Sequence, residues 1–249
     1  MKVRMYNVGF GDCFCLRDRK KSLLVDFGTN NSRIEGRPRR EIFDVIISDL
    51  STIKSKNLLL THFHMDHLSG LLYMMKKKDI SVDFGKIYLP DVFSKKEMSR
   101  TLVLLLLADL LKESGLPSRQ VSLFALVDAL LENKQNVELL SRGKLFENKY
   151  QALWPDTDVI RKETDEVYNR ICEDGKFKEV MDVLLEFAEK LRLIVWSMTA
   201  EGNKPAETVE KETDLTKNCL PAISATVWQE ISARARMRRL MSWWLLCRN

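Results

Sequence analysis

Short apolar runs in the first part of the chain predict β-strands. Met1 to Arg17 predicts a strand, a tight Gly-Phe-Gly-Asp turn and a second strand. Ser22 to Gly28 predicts a third strand, and the apolar run Leu58 to Leu60 ends a fourth. A helical run follows from Asp66 to Lys78. The first part of the chain therefore combines strands with a helix.

Helical periodicity dominates the middle of the chain. We expect a buried helix from about Ser94 to Ser114, because its apolar run Leu102–Leu111 is too short to span a bilayer and contains a charge. Arg119 to Asn133 places its apolar residues largely on one face. Thr157 to Arg192 predicts two more helices joined at Asp174-Gly175. Their apolar stripes favour packing on a sheet or on each other over binding to a partner protein.

Composition is that of a globular protein. Of the 249 residues, 45% are hydrophobic and 30% are charged, which suffices for one domain with a sizeable core and a helical insertion. The five cysteines are odd in number and scattered, so a disulfide framework is not expected. No secretory signal opens the chain and no segment predicts a membrane span, so a cytoplasmic location is expected. The sequence gives no indication of the oligomeric state.

All three histidines of the chain lie within six residues, directly after the strand that ends at Leu60. His62 and His64 are two apart, so in extended backbone their side chains project to the same side. Asp66 and His67 begin the helical run, whose first turn can bring two more donors toward that point. Imidazole and carboxylate donors suit zinc, manganese and iron alike. The run therefore predicts a metal site.

At these residues the chain resembles the metallo-β-lactamase-fold hydrolase superfamily, whose signature H-x-H-x-D-H stands here as His62 to His67. The strand ending in Asp26-Phe27-Gly28 resembles the Asp-x-Gly strand of that superfamily. The "VGFGD" opening and the "LWP" segment look most like the nuclease-type domain attached to competence proteins that import DNA. Later strands of the family are expected at Lys86–Pro90, Val137–Glu147 and Ala152–Pro155.

The resemblance implies a four-layer αββα sandwich of mixed sheets and a metal-dependent hydrolase. In such enzymes water activated by Zn²⁺, as one or two ions, or by Mn²⁺ or iron, attacks a phosphodiester or related ester. Carried over to this chain, His62 and His64 bind a first metal, and Asp66 and His67 a second. Asp66 also orients the attacking water as the catalytic residue. Asp26 fixes a ligand by hydrogen bonding without touching metal.

The chain departs from the family pattern downstream of His67. It has no later histidine and no Thr-Gly-Asp or Ser-Gly-Asp triplet, so three expected ligands are missing and the second half of the fold is predicted to be incomplete. The competing interpretation is a non-catalytic truncated remnant or binding module with an incomplete metal site. A third interpretation is that a partner chain supplies the missing ligands.

The tail differs in composition from the rest. Ser224–Asn249 carries five arginines against one glutamate, and three of the five tryptophans. We interpret it as truncated or frame-shifted sequence; as native sequence it would suit a membrane surface or nucleic acid. The predicted organisation is a metallo-β-lactamase-like core at 1–155, a helical insertion at 156–198, and a polar loop and basic tail at 199–249.

A basic cluster is expected in the loop just after Asp26 and Gly28, which in the resembled fold emerges on the same edge as the metal loop. Guanidinium groups suit phosphates, so arginines close to a hydrolytic metal site favour a small-molecule, nucleotide or nucleic-acid phosphodiester as substrate. The alternative is a solvated loop that happens to be basic. The cluster consists of Arg33, Arg37, Arg39 and Arg40.

Overall fold

The computed structural model describes residues 1–18, 21–77, 83–113, 123–173, 175–200 and 202. Its strands are β1 (Lys2–Met5), β2 (Phe14–Asp18), β3 (Lys21–Val25), β4 (Arg33–Ile34), β5 (Arg37–Pro38), β6 (Ser55–Leu59), β7 (Ile87–Pro90), β8 (Val137–Leu140), β9 (Leu145–Phe146) and β10 (Tyr150–Gln151). Its α-helices are α1 (Arg39–Ser51), α2 (Met65–Lys76), α3 (Ser99–Glu113), α4 (Leu123–Glu132), α5 (Thr157–Glu173) and α6 (Gly175–Ser197).

Six of these strands form one mixed sheet in the order β1-β2-β3-β6-β7-β8. The first three strands pair antiparallel, whereas β3, β6, β7 and β8 run parallel to one another. Helices α1 and α2 make the crossovers between the parallel strands β3, β6 and β7. The carboxyl ends of β3 and β6 therefore lie side by side, and the loops that leave them meet at one edge of the sheet.

Both faces of the sheet are covered. Leu24, Leu58 and Ile87 are fully buried on the face that carries the helices. The opposite face packs Leu23 and Tyr88 against the hairpin formed by β9 and β10. Parallel strands buried on both sides read as continuous apolar runs, which explains the Leu-rich segments at positions 23–24 and 58–60.

The long helices of the second half pack against one another. Helix α6 lies along α3 and also contacts α5, and α3 contacts α5 and α4. Buried Met181, Leu184 and Ala188 of α6 belong to the same apolar core as Leu102 and Val103 of α3. These helices thus extend the core of the sheet. The predicted domain division stays a prediction.

The α/β class with a mixed sheet is confirmed, and each predicted helix has a counterpart within the described residues. The strand predicted at Ala152–Pro155 is wrong: β10 ends at Gln151 and the next four residues are irregular. Pro155 has no N–H to donate to a ladder, and its carbonyl accepts instead from the backbone N–H of Arg142 at 2.7 Å.

Most of the predicted polar loop and all of the basic tail fall outside the described residues. None of the described helices is long and apolar enough to cross a membrane.

Three backbone segments meet closely beside the carboxyl ends of β3 and β6. They are the loop 7–12, the turn 26–29 and the first turn of α2. A side chain added at Gly28 would place its Cβ 2.6 Å from the backbone nitrogen of Leu68, and one at Gly11 would reach 2.3 Å from the Gly28 carbonyl oxygen. Glycine is required at these positions because the obstacle is backbone, which cannot rotate away.

We predict that Gly28→Ala destabilises the protein by about 1–3 kcal/mol or more, because the new methyl group overlaps the start of α2. Urea denaturation followed by circular dichroism measures the change. Gly175→Ala is the matched control, because a Cβ at that exposed first residue of α6 meets no atom within 4 Å. Equal unfolding midpoints for the two variants would contradict the close approach of the three segments.

Candidate metal centre

The predicted site residues lie where β3 and β6 end. Asp26 directly follows β3, and the loop after β6 carries Thr61 and His62. His64 occupies the position before α2 in extended conformation, and Asp66 and His67 lie in the first turn of that helix. Loops at the carboxyl ends of parallel strands are the usual place for ligand sites in α/β folds.

Asp26 is the most constrained residue of this region. Its side chain is 4% exposed and its backbone has a φ of +55°, a left-handed conformation that is uncommon for any residue except glycine. Its backbone N–H continues the ladder by donating to Leu59 at 2.8 Å. The left-handed turn costs on the order of 1 kcal/mol, and the hydrogen bonds of the Asp26 carboxylate offset it.

The Asp26 carboxylate accepts three hydrogen bonds from the site. Oδ1 accepts from the backbone N–H of Thr61 at 2.8 Å, and Oδ2 accepts from the Thr61 hydroxyl at 2.7 Å. Oδ2 also lies 2.9 Å from Nδ1 of His67. An ionised carboxylate only accepts, so Nδ1 of His67 carries the proton. The lone pair of neutral His67 is therefore on Nε2, the nitrogen that lies 3.8 Å from Asp66 Oδ2.

Through Thr61, Asp26 also determines which ring nitrogen of His62 carries the proton. The Thr61 hydroxyl has one proton, which it donates to Asp26, so its oxygen accepts from Nδ1 of His62 at 2.9 Å. The lone pair of neutral His62 is thereby also assigned to Nε2. One buried carboxylate thus sets the tautomer of two imidazoles. Carboxylates that hold metal-binding histidines in this way are a common feature of metal sites.

His62, Asp66 and His67 each offer a donor atom within 4.8 Å of the other two. The ring centroids of His62 and His67 lie 3.7 Å apart, and all three residues are half-buried. Two imidazole nitrogens and a carboxylate oxygen are a donor set that fits zinc, and three protein ligands with an open position are the usual arrangement in catalytic zinc sites. The residues present therefore fit a divalent metal ion.

His64 stands slightly apart from this group. Its ring centroid is 4.7 Å from that of His62, but His64 is not part of either cluster of three metal-donor residues within the described chain. Its assignment as a metal ligand stays a prediction.

Asp12 is a site residue that sequence reasoning missed. Its Oδ2 lies 3.6 Å from Nδ1 of His67, and Asp12, Asp26 and His67 form a second group of donor atoms within 4.8 Å. The sequence predicted a turn at Gly-Phe-Gly-Asp. It could not predict that this turn lies beside the histidines, because tertiary packing sets that distance. The backbone N–H of Asp12 donates to the Asp66 carbonyl at 3.2 Å, and this hydrogen bond holds the turn against the first turn of α2.

The loop predicted for the four arginines of the basic cluster is wrong: they lie on a short hairpin and on the helix that follows it. Arg33 is in β4, Arg37 is in β5, and Arg39 and Arg40 begin α1. All four are exposed, and within the described chain none forms an ion pair with a carboxylate. Cations in the first turn oppose the helix dipole, so Arg39 and Arg40 do not serve the stability of α1.

Two comparisons with known proteins agree with this geometry. Residues 6–91 match the family model of the metallo-beta-lactamase superfamily. Over 77 residues the chain is 32% identical to the endoribonuclease YSH1 of Mycosarcoma maydis. That alignment covers 31% of this chain but only 8% of the relative, so the chain spans a small part of that protein. No solved structure matches the chain.

The resemblance to the metallo-β-lactamase superfamily is therefore confirmed over residues 6–91, which include β2 to β7 and every residue of the candidate metal centre. These similarities support membership of a family of metal-dependent hydrolases. The family is typically metal-dependent, and the donor groups described above provide a candidate site for the ion.

The two histidines that share Asp26 differ in their acid–base behaviour. Burial lowers the pKa of His62, and the neighbouring charges of His67 and His64 lower it further. Burial also lowers the pKa of His67, but its hydrogen bond to Asp26 and the charges of Asp26, Asp66 and Asp12 together raise that pKa above its ordinary value.

We predict that His67 titrates at higher pH than His62 in the metal-free protein. The order follows because His67 bonds directly to a carboxylate, whereas His62 reaches the same carboxylate only through neutral Thr61. A pH titration of the histidine ring signals by NMR measures both, and Asp26→Asn should bring the two values closer. An unchanged His67 titration in Asp26→Asn would count against the assigned bond.

We also predict that Asp26→Asn weakens Zn²⁺ binding roughly 10- to 100-fold, because an amide cannot accept all the hydrogen bonds that orient His62 and His67. Isothermal titration calorimetry measures the affinity. Asp44→Asn is the matched control, since Asp44 lies on α1 and pairs with Lys77 at 2.6 Å. The same affinity in both variants would remove Asp26 as the residue that positions the ligands.

Proposed function

We propose that this protein is a metal-dependent phosphodiesterase whose metal is held by His62, Asp66 and His67, with His64 as a further ligand. The observation that carries the proposal is the hydrogen-bonded relay from Asp26 through Thr61 to His62, and directly to His67. This relay leaves both Nε2 atoms available beside the Asp66 carboxylate. Zinc is the preferred ion, because it favours nitrogen-rich sites with a free position; manganese and iron share these donors.

A divalent ion at such a site lowers the pKa of coordinated water to about 7 and stabilises negative charge on the reacting group. The side chains of the protein orient the attacking water and the imidazole ligands. Asp66, half-buried in the first turn of α2, is placed to accept a hydrogen bond from the attacking water. Asp26 keeps the two imidazoles in fixed tautomers throughout, because its carboxylate is buried and fully bonded.

The preference for a phosphodiester rests on charge. The arginines of the basic cluster supply exposed positive charge on the segment that follows the Asp26 turn, and guanidinium groups bind phosphate oxygens with two parallel hydrogen bonds. The similarity to an endoribonuclease supports the same class of substrate. A nucleotide or nucleic-acid phosphodiester is therefore the proposed substrate.

A second candidate function is a non-catalytic metal-binding module. It is favoured by one observation, that the three histidines of the chain all come from one short loop. A full binuclear site would need further ligands that are not histidine. A single-ion site does not, because three protein ligands are sufficient for catalytic zinc. The stoichiometry of bound metal and the presence of turnover separate the two candidates.

We predict that the protein loaded with Zn²⁺ or Mn²⁺ hydrolyses bis(p-nitrophenyl) phosphate, and that Asp66→Asn lowers the rate about 100-fold or more by removing the group that orients water. Release of nitrophenolate measures the rate, and mass spectrometry measures the bound metal. Asp44→Asn serves again as the control.

Two results would contradict the enzymatic proposal. Turnover that is equal in wild type, His62→Ala and Asp66→Asn would mean that the activity belongs to a contaminant. A tightly bound ion without turnover on any phosphodiester would favour the binding module.

A further inference from the structure

Phe10 is an aromatic ring held out into solvent beside the candidate metal centre. It is 70% exposed. It sits between two glycines in the loop 7–12 that joins β1 to β2. An exposed phenylalanine contributes little to the stability of a folded chain, and its ring is free to contact a ligand.

The backbone under this ring is held firmly. The Phe10 N–H donates to the side-chain oxygen of Asn31 at 2.9 Å. The Phe10 carbonyl accepts from the backbone N–H of Asn30 at 2.9 Å and from the Thr29 hydroxyl at 3.2 Å. Gly9 adopts a φ of +70°, which turns the loop. The ring is therefore presented by a fixed backbone.

The same loop touches the metal centre. Two residues after Phe10, Asp12 reaches to 3.6 Å from Nδ1 of His67 and bonds through its backbone to the Asp66 carbonyl. Two residues span about 7 Å at most. The Phe10 Cα therefore lies at most about 7 Å from the Cα of Asp12, the residue that reaches His67.

The hairpin of β4 and β5 packs against the other side of this loop. Asn7 donates to the Glu35 carboxylate at 2.7 Å, and a Cβ at Gly9 would lie 3.3 Å from the side chain of Ile34. Glu35 and Glu41 offset part of the charge of this segment, but the four arginines outnumber them. Positive charge, an exposed ring and the metal centre are thus joined through one loop.

We infer that Phe10 and the basic cluster form a binding site for an unpaired nucleotide, in which a base stacks on the Phe10 ring and the arginines bind the flanking phosphates. This inference rests on the proposed phosphodiesterase function and specifies its substrate as single-stranded nucleic acid. Stacking on an aromatic ring requires a base that is free of its partner strand, because the face of a paired base is covered. The ring accepts any base, so recognition is independent of sequence.

Binding is tested on the full chain in chelator, where hydrolysis cannot occur. The probes are fluorescein-labelled oligouridylate and oligodeoxyuridylate of about ten nucleotides, with anisotropy as the readout. Phe10→Ser should weaken binding about tenfold or more, whereas Phe10→Trp should retain it. Arg33→Ala and Arg37→Ala should each lower the slope of log affinity against log salt by about 0.7. The tighter of the two probes identifies the preferred sugar.

The controls are Trp154→Ser, which removes another exposed aromatic ring, and Arg161→Ala, which removes an exposed arginine of α5; both should bind as wild type. Unchanged binding in Phe10→Ser, or equally tight binding of a blunt duplex, would overturn the inference. Failure of wild type to bind either probe, while it still hydrolyses bis(p-nitrophenyl) phosphate, would overturn the inference and leave the proposed function standing. Probe binding that depends on Phe10 supports the inference even without turnover.

Discussion

The hydrogen bonding of Asp26 is the interaction on which the candidate site depends. A buried carboxylate is costly unless its oxygens are bonded, and here three donors from the loop after β6 and the first turn of α2 satisfy it. These bonds join the end of β3 to both segments that carry the histidines. Together with the Thr61 hydroxyl they also assign the ring protons of His62 and His67 to Nδ1, so Nε2 is the nitrogen that each of these two rings offers to a ligand.

Close backbone packing supplies the second constraint. The Phe27 N–H donates to the His67 carbonyl at 2.7 Å, and the Gly28 N–H donates to the Asp12 carbonyl at 3.2 Å. Side chains at Gly11 or Gly28 would separate these segments. A ligand set drawn from one short stretch is flexible in isolation. In this protein the stretch is bonded on two sides, by the turn after β3 and by the loop after β1, which limits that flexibility.

The sequence predicted strands β1, β2, β3, β6, β7 and β8 and helices α2 to α6, where a local pattern of apolar residues decides the element. It did not predict helix α1, whose first residues were assigned to a basic loop. The run from His62 to His67 also predicted that donors converge, because its spacing is short enough for local geometry to bring them together. Asp12 was missed because its approach to His67 depends on how the β1–β2 loop packs on α2, which no local pattern records. The strand expected at Ala152–Pro155 was wrong: only Ala152 packs into the apolar cluster on the sheet, whereas Leu153 and Trp154 are exposed and residues 152–155 have no strand conformation.

The β1–β2 loop links the chemistry of the site to its surroundings. Its Asp12 end contacts His67 and the start of α2. Its Phe10 backbone is bonded to residues 29–31, which lead into the hairpin that carries Arg33 and Arg37. A displacement of this loop would therefore move a carboxylate beside the metal ligands and the exposed ring at the same time. Because Phe10 and Asp12 are two residues apart and both accept hydrogen bonds from the turn after β3, the positions of the exposed ring and of the carboxylate beside His67 are physically coupled in this fold.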